Sequence, residues 1–286
     1  MSANLQLAAA SFVERLARDL NRGELELPAF PDAVIRIQQT MQDADKDIDD
    51  IIEILSSDPA MAAALLKASN SAAINASGNE ITSLRMAIVR LGYKLVTSIT
   101  TSFAMRQIAM QDQYSDEQRK MLQKHWEDSI DVASISYVLA RELTDIKADE
   151  ALLAGLLHVI GKLYIFMQAN DDNGDLTPEE LEEIGSSWHP TIAKAIVESW
   201  GLPESLQTAM EEQDEYGTPP RGSMTLSDVL ISAKVMSASK SSDEPAPTAE
   251  QVPSLQRVGL VSEVDQPASI ERYEELIRLV RQTLTG

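Results

Sequence analysis

Three histidines, His125, His158 and His189, are the residues on which metal or acid–base chemistry in this chain would depend. The chain has no cysteine, which excludes disulfides, thiolate metal sites and a cysteine nucleophile. No serine lies in a nucleophile-elbow context, so a Ser-His-Asp triad has no support. His158 lies in the apolar stretch 151–167, where a histidine is more often a buried core residue than a metal ligand. His189 precedes Pro190, which predicts a helix start where the imidazole hydrogen-bonds exposed backbone N–H groups, and His125 has no evident partner.

Two ligand-binding motifs are present only superficially. Residues 155–162 (GLLHVIGK) resemble a phosphate-binding loop, but the glycines are one residue too far apart and the hydroxyl that should follow the lysine is missing. Residues 169–180 match several positions of a calcium loop, but the first position is Ala169 instead of an aspartate. Thr177 and Glu180, with a proline between them, equally predict a helix start with a capping box. We therefore favour a helix start over a calcium site.

The composition is that of an acidic globular protein. The chain has 286 residues, 44% of them hydrophobic, with 24 Lys and Arg against 45 Asp and Glu and a net charge of −21. Such a field repels nucleic-acid phosphates and anionic lipids, and 5% aromatic residues leave little material for base stacking. The apolar stretch 151–167 is shorter than the roughly 20 residues of a membrane span, which predicts a buried helix. Residues 1–4 offer no basic region for a secretory signal, so we expect a cytoplasmic protein that binds neither nucleic acid nor membranes.

Helical periodicity dominates the chain, and alternating strand patterns are scarce. Asp58 and Pro59 predict the start of a helix over 60–68, with Asn70 as its C-cap. Ser115 and Gln118 form a capping-box pattern ahead of a long helix that ends near Thr144. The predicted organisation is an N-terminal amphipathic helix (1–24), an N-terminal helical lobe (25–112), a helical bundle (113–237), a flexible Ser/Pro/acidic segment (238–268) and a C-terminal helix (269–286).

Several longer segments together resemble one protein family. They are LPAFPDAVIRI (27–37), SSDPAMAAALLKASNSA (56–72), ITSLRMAIVRLGY (81–93), HWEDSIDVA (125–133), AGLLHVIGKL (154–163), HPTIAKAIVESWGLPESL (189–206) and, less clearly, LQRVGL (255–260). This set resembles the HD-related output domain (HDOD) family, bacterial signalling proteins that are degenerate relatives of the HD and HD-GYP phosphohydrolases. The resemblance implies an all-α, two-lobed fold in which an N-terminal helical lobe packs on an HD-like bundle.

The resemblance also locates a vestigial metal site. In the catalytic relatives, a segment like AGLLHDIGKL supplies adjacent His and Asp ligands to one or two metal ions. Here His158 is kept, but Val159 stands where the Asp would be, and an alkyl side chain has no lone pair to offer a cation. The resemblance therefore implies that the strongest anionic ligand is gone from the centre of the site.

The remaining positions of the site are changed as well, except for His189. Asp128 stands where relatives carry a histidine, Gln213 and Asp214 replace a pair of histidines, and Lys234 replaces a final aspartate. A hydrolytic metal site needs about three protein ligands in fixed geometry. We therefore expect no catalytic residue, no cofactor and no bound metal, with Asp128, His158, Val159, His189, Gln213 and Asp214 as vestiges.

The function expected from the resemblance is recognition without catalysis. The family implies a bacterial signal-transduction adaptor, often found beside response-regulator or cyclic-di-GMP modules, which would bind a signalling enzyme or response regulator in trans. The acidic surface favours a basic partner. One alternative is a metal-dependent phosphohydrolase acting on nucleotides or cyclic dinucleotides through His158, His189 and Asp128. Another is a sensor that binds a small nucleotide between the lobes without hydrolysing it, and the oligomeric state is left open.

Overall fold

In the part of the chain that the structure describes, every secondary-structure element is an α-helix. A computed structural model describes residues 46–71, 74–75, 78–109, 114–171, 176–217, 222–241, 251–260 and 265–285, with isolated positions before residue 46. No strand occurs in these ranges, which confirms the all-α prediction. The helices bounded there are α1 (Ile48–Ser56), α2 (Pro59–Ser69), α3 (Leu84–Ala109), α4 (Asp116–Leu143), α5 (Ala148–Leu157), α6 (Ile160–Asp171), α7 (Pro178–Ser199), α8 (Glu204–Glu212), α9 (Leu226–Ser241), α10 (Pro253–Arg257) and α11 (Asp265–Thr285).

Local capping signals determine where several of these helices begin. Asp58 Oδ1 accepts hydrogen bonds from the backbone N of Ala60 and Met61 at 2.9 and 3.1 Å, and Pro59 occupies the first turn of α2. Ser115 and Gln118 form the predicted reciprocal capping box of α4, which ends at Thr144. These starts are confirmed because an N-cap side chain satisfies backbone donors that the helix itself leaves unpaired.

Residues 169–180, which match part of a calcium-loop pattern, include the start of α7. Thr177 Oγ1 accepts from the backbone N of Glu180 at 3.3 Å, and Glu180 Oε2 accepts from the backbone N of Thr177 at 2.9 Å. The carboxylate that a calcium loop would place at its last position is therefore a helix cap. Residues 172–175 of the same stretch lie outside the described residues.

Helix α4 is the centre of the molecule. Helices α5, α9, α11 and α3 all pack against it, and α3 also contacts α5, so the N-terminal helices pack directly on the HD-like bundle. A Cβ atom on Gly155 of α5 would lie 2.3 Å from Ala133 Cα, so only a glycine permits this close approach of α5 to α4. Gly92 has φ +72°, a left-handed conformation that breaks α3 into two straight parts.

The C-terminal helix joins the two halves of the molecule. Helix α11 packs against α2, α3 and α4. Thr283 Oγ1 lies 2.9 Å from Ser71 Oγ, and Ser102 Oγ donates to the carbonyl of Leu284 at 3.3 Å. Arg281 forms an ion pair with Asp131 of α4 at 2.7 Å. This helix begins at Asp265 instead of the predicted residue 269.

The predicted flexible segment 238–268 is partly folded. Helix α9 continues to Ser241, and α10 packs against α9 within the segment. The prediction is wrong for residues 251–260, because Val252, Leu255, Val258 and Leu260 bring enough apolar surface to be buried. Residues 242–250 and 261–264 lie outside the described residues, as does almost all of the predicted helix 1–24.

The most apolar stretch of the chain forms two core helices. By length and composition alone, Ala148–Ala169 would suffice to cross a membrane: an 18-residue window within it has a mean hydropathy of 1.5, but 83% of that window is buried inside the protein. A turn at His158 and Val159 divides it into α5 and α6. The stretch is therefore buried, as predicted, but it forms two helices instead of one. The break places His158 in the turn between them.

Candidate functional site

The turn between α5 and α6 is held directly against α7. His158 is the C-cap of α5, and Val159 follows it with only 4% of its surface exposed. A Cβ atom on Gly161 would lie 2.1 Å from the backbone oxygen of His189, so α6 and α7 meet at backbone contact. The missing side chain of Gly161 therefore brings the His158 turn beside His189.

His189 lies in the interior of α7, with Pro190 also inside the helix. The prediction that His189 begins a helix is wrong. The α7 N-cap is Thr177, twelve residues earlier, and the helix accommodates Pro190 although this residue has no N–H to donate. The imidazole consequently points to a tertiary partner, and its Nε2 lies 2.7 Å from Asp214 Oδ2.

An ion pair occupies the site between α7, α8 and α9. Lys234 Nζ donates to Asp214 Oδ1 at 2.6 Å and to Gln213 Oε1 at 3.0 Å. Tyr216 OH also donates to Asp214 Oδ1, at 3.1 Å. The Lys234 side chain is only 11% exposed, and Gln213 is fully buried. Both oxygens of Asp214 are thus engaged by groups of the protein itself, and we call His189, Gln213, Asp214 and Lys234 the Lys234 cluster.

Burial and the charges within this cluster lower the pKa of Asp214, of Lys234 and of His189, through a different balance of causes in each case. Burial alone would raise the pKa of Asp214, but the hydrogen bond from His189 and the charge of Lys234 outweigh it and hold the pKa below its usual range. Burial lowers the pKa of Lys234, and the charge of Asp214 opposes that effect. Burial also lowers the pKa of His189, against its hydrogen bond to Asp214, so His189 is neutral near pH 7.

His158 keeps the orientation of a metal ligand in a site that cannot complete the ligand set. Its Nδ1 donates to the carbonyl oxygen of Gly155 at 2.6 Å, which leaves the lone pair on Nε2. Metal-binding histidines are commonly oriented by such a bond. Burial lowers the pKa of His158 strongly, and the positive charge of Lys234 adds to this, so the ring is neutral. His158 is nevertheless a buried residue with a satisfied Nδ1, as the sequence reading favoured.

A second group of polar residues surrounds His125. Its Nε2 lies 3.4 Å from Glu182 Oε1, and Lys162 Nζ lies 3.4 Å from Glu182 Oε2. The ring also meets Phe166 edge-on, with 5.6 Å between ring centroids. Burial lowers the pKa of His125 to about 4, although Glu182 acts in the opposite direction. The sequence did not indicate Glu182 as the partner of His125 because the two residues lie on different helices, α4 and α7.

Among the described residues, the Asp128 side chain, like that of His158, has no hydrogen bond to another vestigial position. In the same ranges it makes no ion pair with His158, His189 or Asp214. Burial raises its pKa, and the charges of Lys124 and, to a smaller extent, Lys162 partly offset this rise. Lys162 also lowers the pKa of His158 and His189, so its charge reaches the whole region. Lys162 was not among the predicted site residues, and only its place in the AGLLHVIGKL segment could have indicated it.

The residues present do not fit the divalent metal that catalytic relatives hold. Within the described ranges, no group of three or more His, Asp or Glu side chains could hold a metal ion. Val159 offers no lone pair, and the ammonium group of Lys234 already neutralises Asp214. The fold and the site thus define an all-helical domain with an internal ion pair among the positions that the resemblance matches to metal ligands.

A model of the HDOD domain family matches residues 27–216, so the chain belongs to the HDOD family. Similar solved structures include a "Putative metal-dependent phosphohydrolase" from Shewanella amazonensis SB2B, with TM-score 0.74 and 20% identity over 96% of this chain and 99% of that chain. A "Putative signal transduction protein" from Marinobacter aquaeolei VT8 has TM-score 0.61 and 20% identity, covering 100% of this chain and 68% of that one. At these identities the likeness shows the fold.

Two further relatives carry no stated activity. An HDOD domain protein of unknown function from Geobacter sulfurreducens matches with TM-score 0.64 and 20% identity, over 94% of this chain and 97% of that chain. An uncharacterized protein of Treponema pallidum (strain Nichols) is 26% identical over 197 residues, which are 63% of this chain and 36% of that protein. The chain thus matches about a third of the length of this curated relative.

Proposed function

We propose that this HDOD protein is a non-catalytic adaptor of bacterial signal transduction, which acts in the cytoplasm by binding a regulatory protein in trans. The observation that carries the proposal is the buried ammonium group of Lys234, which donates to both Asp214 and Gln213. A cation is thereby built into the chain where catalytic relatives would bind a metal ion. The fold is kept for recognition, and the former metal site serves the stability of the bundle.

The chemistry of the site supports this proposal. A hydrolytic metal centre needs about three protein ligands and an open position for water. Asp214 Oδ2 is bonded to His189 Nε2, and Asp214 Oδ1 accepts from both Lys234 and Tyr216. An incoming ion would have to displace the ammonium group and break these bonds, and Val159 would add nothing in return. His158 Nε2 and His189 Nδ1, which has no hydrogen-bond partner among the described residues, offer two imidazole lone pairs, fewer than the roughly three ligands that hold an ion tightly.

The net charge of −21 indicates that the proposed partner has a basic surface. An acidic surface attracts a basic partner during diffusional encounter and makes the association rate dependent on ionic strength. A response regulator or signalling enzyme with a basic face fits this description. A nucleotide second messenger is a further candidate ligand of the same adaptor.

An activity assay tests the absence of catalysis. The purified chain is incubated with Mn²⁺, Fe²⁺ or Zn²⁺ and offered bis(p-nitrophenyl) phosphate and cyclic di-GMP, beside the His158→Ala variant as a matched control. We expect both proteins to give the rate of the buffer. Metal-dependent turnover that disappears in His158→Ala would instead establish the phosphohydrolase alternative, for which the metal-ligand orientation of His158 is the favourable observation.

Affinity purification from the native host tests the adaptor role. We expect one regulatory protein to co-purify with the wild-type chain and with His158→Ala alike, because binding does not use the vestigial site. The complex should dissociate more readily as salt is raised, as an electrostatically steered interface does. Retention of no protein above a tag-only control would contradict the adaptor proposal.

A further inference from the structure

A cavity of about 210 Å³ lies between the two halves of the molecule, away from the Lys234 cluster. Its walls come from α2, α3, Trp126 of α4 and the last turn of α11. None of the residues that form the Lys234 cluster or the His125 group lines it. Its function is therefore independent of the vestigial metal site.

The walls of the cavity are mainly apolar and its rim is cationic. Ala60, Ala63 and Ala64 of α2 form one side, and Phe103 of α3 lies among the residues of the other. Ala60 and Ala63 are exposed and face this space. Among the residues that the structure describes, the lining includes two basic side chains and no acidic one, in a chain with 45 acidic and 24 basic side chains. A locally positive, apolar cavity in so acidic a chain indicates an anionic ligand with an apolar body.

The two basic residues are Arg106 and Lys67, and Arg106 is held over an aromatic ring. Its guanidinium carbon lies 5.5 Å from the ring centroid of Trp126. Trp126 Nε1 donates to the carbonyl oxygen of Ser102 at 3.3 Å, which fixes the indole. In the part of the chain that the structure describes, no carboxylate lies within 4 Å of the Arg106 guanidinium. Its donors are thus available to a planar anion, which an arginine binds in bidentate fashion.

We propose that this cavity binds a small aromatic anion, with the ring between the α2 alanines and Phe103 and the anionic group at Arg106. The volume is below the range of about 300–1,000 Å³ of drug-sized sites, so one single or fused ring fills it. Ser102 Oγ already donates to Leu284, so the wall offers little to read the pattern of a base. A nucleoside monophosphate and an aromatic carboxylate share the required chemistry. The adaptor would thereby acquire a small-molecule input, beyond its proposed protein partner.

Isothermal titration calorimetry of the full chain tests whether binding needs the aromatic ring, the anionic group or both. The probes are AMP, adenosine, inorganic phosphate, indole-3-carboxylate and indole. We expect AMP, indole-3-carboxylate or both to bind with micromolar to low-millimolar dissociation constants, and adenosine, indole and phosphate at least tenfold more weakly. Binding by AMP alone would identify a nucleotide site, and binding by the carboxylate alone would identify an aromatic acid site.

Three substitutions provide the controls. Arg106→Gln should weaken the anionic probe about tenfold or more by removing the charged donors. Ala63→Leu should abolish binding by filling the cavity, and since Ala63 is exposed, the variant keeps its fold. Arg278→Gln removes the same charge from an exposed position on α11 outside the cavity and should leave binding unchanged. Failure of both anionic probes to saturate, equal binding of the uncharged ring compounds, or indifference to Arg106→Gln and Ala63→Leu would each overturn the proposal.

Discussion

Replacing Lys234 with methionine removes the ammonium group of the Lys234 cluster and keeps most of the side-chain volume. In the native structure this group donates to Asp214 Oδ1 at 2.6 Å and to Gln213 Oε1 at 3.0 Å. Lys234→Met leaves the carboxylate of Asp214 with donors only from His189 and Tyr216. It also leaves the Oε1 atom of the fully buried Gln213 without the donor it has in the native protein.

The size of the effect follows from the burial of these groups. Removing one partner of a fully buried ion pair costs about 3–5 kcal/mol. The Asp214 side chain is 33% exposed, so water screens part of its uncompensated charge. An unsatisfied buried acceptor such as Gln213 Oε1 costs on the order of 1 kcal/mol. We therefore expect Lys234→Met to lose about 2 kcal/mol of unfolding free energy, which lowers the Tm by about 4–6 °C.

A double-mutant cycle in urea distinguishes this ion pair from simple packing. Asp214→Asn alone should also destabilise the protein, because it leaves the ammonium group of Lys234 buried against an amide. The double variant has no uncompensated charge, so its loss should be smaller than the sum of the single losses by about 1–2 kcal/mol. Strictly additive losses, or a Lys234→Met protein within about 0.5 kcal/mol of the wild type, would refute the reasoning.

Two further perturbations test the burial of the site. Burial lowers the folded-state pKa of His125, His158 and His189, so below pH 6.5 the unfolded chain binds more protons and stability falls as the pH decreases towards 4. Urea unfolding should show that the free energy of unfolding falls by up to about 1.4 kcal/mol per pH unit for each histidine. The fall should be smaller in His125→Gln by the contribution of one histidine. A free energy of unfolding that does not change with pH in this range would contradict the prediction. Gly161→Ala should cost about 1–3 kcal/mol in the same assay, because its Cβ would meet the His189 carbonyl oxygen at 2.1 Å. Gly185→Ala, whose Cβ would have ordinary contacts of 3.6 Å and longer, should be neutral or stabilising, and similar losses in both variants would be inconsistent with the close packing of α6 on α7.

The parts of the fold that local chemistry determines could be predicted from the sequence. Asp58 with Pro59 and Ser115 with Gln118 each satisfy helix N–H groups within three residues, so their helices begin where the sequence indicates. The break at His158 and Val159 has no comparable signal, since neither residue is a glycine or proline. It depends on how the stretch packs against other helices, which periodicity along one segment does not report.

The candidate site shows the same division. The expectation that an anionic ligand is missing depends on a single position, Val159, because a hydrocarbon side chain has no lone pair. The interior position of His189 and its bond to Asp214 could not be predicted, since they depend on α7 and α8 packing side by side. The sequence could match Lys234 to the final ligand of the relatives but could not show that its ammonium group bonds to Asp214.

The affinity of the purified chain for a divalent ion is the most direct test of the proposal that Lys234 takes the place of the metal. The protein is equilibrated with Mn²⁺, passed through a desalting column and measured for metal content by mass spectrometry, beside a Val159→Asp/Lys234→Asp variant that restores two anionic ligand positions. We predict far less than one ion per wild-type chain and a higher metal content in the double variant. One Mn²⁺ per wild-type chain that is lost on His158→Ala would contradict the proposal.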